Sequence, residues 1–124
     1  MPKILLAEDE QAMREYLARA LEKSGYQVVA VDRGTEAAPL LESDDFDLLL
    51  TDIVMPEMDG IELARHCSKV SPQTQVMFIT GFSGVVLKAG ESMPSAKILS
   101  KPFHLRDLVL EVCLLYTSPS PRDS

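Results

Sequence analysis

Four short stretches carry residue types that could do chemistry together: Glu8-Asp9-Glu10, Asp52 at the end of LLLTD, Thr80 at the end of QVMFIT, and Lys101 in SKP. Crowded carboxylates repel one another unless a cation sits among them, and hard oxygen donors with room for water suit Mg²⁺. A hydroxyl and an ammonium opposite that cation suit a phosphoryl group. Taken singly, each stretch is weak. An acidic triplet is commonly a solvated loop, an Asp at a strand end suits a turn, Thr80 is an ordinary β-branched strand residue, and Lys101 an ordinary surface lysine. The reading depends on whether the fold brings all four to one place.

The elements that would do so alternate along the chain. Strand-like KILLA (3–7), QVVAV (27–31), FDLLLT (46–51), QVMFIT (75–80) and AKILS (96–100) are separated by stretches of helical period at 11–25, about 35–42, 60–70 and, after AKILS, 103–116. The segment GFSGVVLKAGESMPSA carries three glycines and reads as a weak or mobile helix. Pro39 should kink or delay the second helix. Strands joined by crossover helices form a parallel sheet, and apolar runs such as LLL and VMFI fit burial on both faces. The expected fold is a doubly wound α/β domain with a five-stranded parallel sheet. In such sheets every strand C-terminus lies at one edge, where ligands bind. All four stretches end strands or follow them, so they share that edge.

With 124 residues the chain has room for one core, and its net charge of −7 opposes a broad contact with a phosphate backbone, so no direct nucleic-acid partner is expected. No apolar run approaches the ~20 residues that span a bilayer, and MPKILLAEDE lacks the pattern of a signal peptide. A cytoplasmic protein without a membrane partner is expected. Cys67 and Cys113 have neither metal-type spacing nor a redox motif and read as reduced, partly buried thiols.

ILLAEDE, LLLTDIVMPEMDGIEL, VMFITG and LSKPF, in this order and spacing, resemble the receiver domain of two-component response regulators. The likeness covers 1–115 and implies a flavodoxin-like, CheY-like fold. It implies Asp52 as phosphoacceptor and Mg²⁺ as cofactor, held by Asp9, Asp52, the backbone carbonyl of Val54 and, through water, Glu8. Thr80 and Lys101 would contact the phosphoryl oxygens, while Pro56, Gly60 and Pro102 shape the site. The expected donor is a histidine kinase or histidine phosphotransfer protein. The domain would be a phosphoacceptor that catalyses its own phosphoryl transfer and hydrolysis rather than an enzyme acting on a separate substrate. With SKPFHLRDL, the set resembles the stand-alone receivers of the CpdR type, which regulate proteolysis by ClpXP.

One position departs from that pattern: Ile98 stands three before Lys101, where many receivers carry a switching aromatic, which leaves Phe82 as the aromatic to watch. Two other functions compete. An Asp-based phosphatase usually needs a second acid two residues after its nucleophile, and position 54 is Val. A receiver that no longer accepts phosphate, acting as a plain binding module, is opposed by the presence of Asp9, Asp52, Thr80 and Lys101. His66 and His104 read as surface or capping residues, and YTSPSPRDS as a flexible tail (116–124), open to being a cloning scar. With no output domain read after the receiver, action is expected through protein recognition. Leu110 and Leu114 lie outside the apolar stripe of the last helix and mark a surface for a partner or a homodimer.

Overall fold

The computed structural model describes residues 2–80, 97–100 and 105–117. The strands are β1 (Lys3–Ala7), β2 (Gln27–Val31), β3 (Leu48–Asp52), β4 (Gln75–Thr80) and β5 (Lys97–Ser100). They form one sheet in the order β2-β1-β3-β4-β5, with every pair parallel. The helices are α1 (Gln11–Lys23), α2 (Gly34–Ser43), α3 (Gly60–Val70) and the last helix, Leu105–Thr117. The weak helix expected after Gly81, Phe82 included, lies outside the described residues, as do His104 and residues 118–124 of the tail.

The two-residue period of the strands sorts their side chains onto opposite faces. Ile4, Leu6, Leu48, Leu50, Met77 and Ile79 pack against Leu17 and Leu21 of α1 and against Leu108 and Val112 of the last helix. Leu5, Ala7 and Leu49 face the other way, onto Ala37 and Leu41 of α2 and Leu63 and Cys67 of α3. All five residues of β3 are buried, as befits a strand with neighbours on both edges and helices on both faces. β2, at the sheet's edge, is only partly covered.

Of the kink or delay expected from Pro39, the delay does not occur: α2 begins at Gly34 and runs through the proline. Proline removes the bond to the carbonyl four residues earlier, here that of Thr35. Both Thr35 and Pro39 are exposed, so water can serve that carbonyl. His66 is not simply solvated either, since its Nε2 lies 3.1 Å from Glu42 Oε2 and ties α3 to α2.

The edge opposite the strand C-termini is closed by a chain of hydrogen bonds. Thr74 Oγ1 donates to the Phe46 carbonyl at 2.7 Å and lies 2.6 Å from Ser71 Oγ, with both residues buried. Lys3 N–H donates to Asp47 Oδ2, and its ammonium pairs with Asp44 and lies over the Phe46 ring. Cys67 is buried beside this network, and burial pushes its thiol up to about 11, which keeps it neutral. Neither Cys67 nor Cys113 forms a disulfide.

Candidate functional site

Register decides what gathers at the C-terminal edge. Ala7 pairs with Thr51, so Glu8 and Asp52 leave β1 and β3 side by side at the point where strand order reverses. Each of Glu8, Asp9 and Asp52 offers a carboxylate oxygen, and the three atoms lie within 4.8 Å of one another. Glu8 and Asp52 are buried, Asp52 only 8% exposed, whereas Asp9 faces solvent. At an effective dielectric near 20, two buried carboxylates at this separation repel by roughly 3 kcal/mol when both are ionised. A divalent cation between them would reverse the sign. The donor set fits Mg²⁺: carboxylates only, with one on an open, solvated side where waters can complete an octahedron.

Hydrogen bonds position Glu8 and Asp52. Glu8 N–H donates to the Val31 carbonyl, Glu10 N–H donates to Glu8 Oε2 at 3.1 Å, and Arg14 Nη1 donates to the Glu8 carbonyl at 3.0 Å. Asp52 Oδ1 accepts the Val54 N–H at 3.3 Å, which sets the rotation of the carboxylate. Glu10 itself is exposed at the N-cap of α1, with no side-chain cap bond.

The loop from Ile53 to Asp59 closes on itself. Gly60 N–H donates to the Ile53 carbonyl at 2.8 Å, and Asp59 caps α3 by accepting the Glu62 N–H at 2.9 Å. Ile53 and Met55 are buried, in separate clusters, while Pro56 is exposed. The Val54 side chain is 46% exposed, so position 54 supplies backbone and an apolar surface but no second acid for a phosphatase.

Thr80 pairs with Ser100 across β4 and β5 at the same edge. The Thr80 side chain lies outside the described residues, and so do Lys101 and Pro102. The structure therefore brings Glu8, Asp9 and Asp52 together, with Val54 and Pro56 in the adjoining loop and Gly60 at the start of α3. Ile98, opposite Phe78 in the sheet, packs half-buried against the cluster of Ile53, Ile61, Ala64 and Phe78.

Sequence reasoning passed over three features of this rim. The Asp59–Glu62 cap had a local signature, an Asp three residues before a Glu at a helix start. Gly34 and Glu57 had none. Beside them Arg33 lies 3.0 Å from Asp32 Oδ1, and its guanidinium, aided by Arg14, holds the Asp32 carboxyl below the usual carboxylate range.

The profile of the family described as response regulator receiver domain matches residues 4–112. The response regulator receiver protein CpdR of Brucella abortus is 57% identical over 113 residues, which cover 90% of this chain and 94% of that protein. The response regulator MprA of Mycobacterium tuberculosis is 32% identical over 123 residues; the match takes in 98% of this chain but only about half, 54%, of MprA. Among solved structures, a response regulator receiver protein from Sinorhizobium medicae superposes with a TM-score of 0.85 at 30% identity, covering 94% of this chain and 95% of that one. TrrA of Thermotoga maritima, solved in complex with Mg²⁺ and beryllium fluoride, superposes at 0.83 with 28% identity, covering 93% of this chain and 99% of TrrA.

Proposed function

Because the chain belongs to the response regulator receiver domain family of two-component signalling, we propose that it accepts a phosphoryl group on Asp52 from a histidine kinase or histidine phosphotransfer protein. The observation that carries this reading is the buried Asp52 carboxylate with the oxygens of Glu8 and Asp9 within 4.8 Å. In this role an Asp52 oxygen attacks the phosphorus, an O–P bond forms as the donor's P–N bond breaks, and the product is an acyl phosphate. Such a transfer needs alignment and charge neutralisation more than a general base. Mg²⁺ supplies part of that neutralisation when held by Asp9, Asp52 and the Val54 carbonyl, with Glu8 acting through water. The Mg²⁺ complex of TrrA supports the cation. Thr80 and Lys101 take the phosphoryl oxygens, and Pro56, Gly60 and Pro102 shape the surroundings. The protein is thus a phosphoacceptor that catalyses its own transfer and hydrolysis, and it works in the cytoplasm. Among the described residues, no helix is long and apolar enough to cross a membrane.

Incubation with Mg²⁺ and a small acyl phosphate, followed by intact mass measurement, should give one base-labile phosphoryl addition per chain that EDTA prevents. An unchanged mass, or an addition indifferent to EDTA, would sink the reading.

The likeness to CpdR of Brucella abortus supports a CpdR-type role, in which the phosphoryl group switches a surface that governs proteolysis by ClpXP. That surface includes the last helix, where Leu110 and Leu114 are 55% and 49% exposed while Leu108 and Val112 are buried against the sheet. Either a downstream partner or a second copy covers the two leucines. If a second copy covers them, sedimentation should show self-association that Leu110→Glu with Leu114→Glu abolishes; two monomers of equal sedimentation, with and without a phosphoryl mimic, would end the dimer idea and leave the downstream partner.

A further inference from the structure

The start of α2 meets the loop after Asp52 in two independent ways. A Cβ on Gly34 would lie 2.7 Å from the Met58 carbonyl oxygen and 3.1 and 3.2 Å from Met58 Cβ and Cγ, so only a bare Cα lets the two backbones approach this closely. On either side of that contact, Arg33 Nη1 stands 3.7 Å from Glu57 Oε1, and Thr35 Oγ1 donates a long bond, 3.5 Å, to the same oxygen. Glu57 has φ 70, the left-handed region that a non-glycine residue holds only when its surroundings favour it.

These contacts bear on the site through the loop's construction. Its two ends are joined by Gly60 N–H on the Ile53 carbonyl, and Val54 lies between them with its N–H on Asp52 Oδ1. In a loop this short and closed, a displacement at Glu57 and Met58 would reach Val54. We propose that Arg33, Gly34 and Thr35 are positioning residues for the metal and phosphoryl site: they support the outer end of the Ile53–Asp59 loop and so set where the Val54 backbone meets Asp52. This rests on the reading of Asp9, Asp52 and the Val54 carbonyl as metal ligands. None of the three touches the reacting atoms.

Gly34→Ala places a methyl against the Met58 backbone, which must shift. The companion variant, Arg33→Gln with Glu57→Gln, breaks the ion pair yet removes one positive and one negative charge, so the net charge of −7 is unchanged. The readouts are the Mg²⁺ dissociation constant by calorimetric titration of the whole chain and amide hydrogen exchange at 54–58 without metal. The temperature is held below the thermal midpoint of each variant, where a purely structural role would leave Mg²⁺ affinity alone. Gly34→Ala should weaken Mg²⁺ binding about tenfold, as losing a support behind metal ligands typically does. The charge-neutral pair should weaken it about threefold, the range of an exposed ion pair. Exchange at 54–58 should quicken in both. If the wild type binds no Mg²⁺, or Asp9→Asn binds it equally well, the metal-site reading falls and takes this proposal with it. If the wild type binds through Asp9 and both variants match it, the positioning role alone is overturned. Should Gly34→Ala fail to fold, the charge-neutral pair decides by the same criterion.

Discussion

Asp52→Asn should take up no phosphoryl group from a small acyl phosphate under conditions in which the wild type approaches one per chain. The substitution is close to isosteric, and the amide oxygen can still accept the Val54 N–H that Oδ1 accepts at 3.3 Å, so the loop has no reason to move. What would disappear is the proposed nucleophile, since an amide oxygen does not displace a leaving group from phosphorus to give a stable adduct. The variant should also lose most of its Mg²⁺ affinity. Its metal-free stability should rise, by up to about 3 kcal/mol, because one charge leaves a cluster whose oxygens lie within 4.8 Å of one another. Thermal unfolding in EDTA measures that gain. A phosphoryl group that persists in Asp52→Asn would move the acceptor elsewhere, and a lower midpoint in EDTA would mean that the cluster is not repulsive.

The second large effect is structural. Gly60→Ala puts a methyl into the Asp52 carbonyl oxygen, with Ile53 Cα at 2.9 Å and the Asp52 carbonyl carbon at 3.0 Å. All three atoms are backbone at the end of a fully buried strand and cannot swing aside as a side chain would. The expected cost is about 3 kcal/mol, at the upper end of what overpacking does, which lowers the thermal midpoint by roughly 10 °C or more for a domain of this size. Gly25→Ala is the control. Gly25 has φ +99 with nothing within 4 Å of a Cβ, so it carries only the conformational penalty of about 1 kcal/mol. If the two variants unfold together, the close approach of Gly60 to β3 is not what makes glycine necessary there.

Much of this site could be read without coordinates, for a physical reason. A strand that ends in a carboxylate is visible in a short window, and parallel topology sends all such ends to one edge, so Glu8, Asp9 and Asp52 could be grouped before their distances were known. Gly34 could not. Its need for a bare Cα arises from Met58, 24 residues further on, and close packing between distant segments leaves no local period. The same holds for His66, whose partner Glu42 is defined only once α2 and α3 lie side by side. Pro39 misled because the start of α2 is not decided by that residue alone: the helix begins at Gly34, and the carbonyl of Thr35 that proline leaves without a helical donor belongs to an exposed turn, where water can serve it. Glu57 carries no sequence mark of its left-handed backbone, since any residue can be forced there by its neighbours.

The placement of β1 has a consequence for the chain as it is made. β1 is the earliest of the five strands, yet it sits between β2 and β3, with Ile4, Leu5 and Leu6 fully buried by elements that come later. Its second edge stays unpaired until residue 52 has been synthesised, 45 residues after Ala7. At about 5–20 residues per second, that leaves an apolar strand with an open flank for roughly two to nine seconds. During that interval the segment most committed to the finished core is also the one most open to pairing with another nascent chain. Cellular yield of this protein should therefore depend on translation speed and chaperone supply more than its small size suggests.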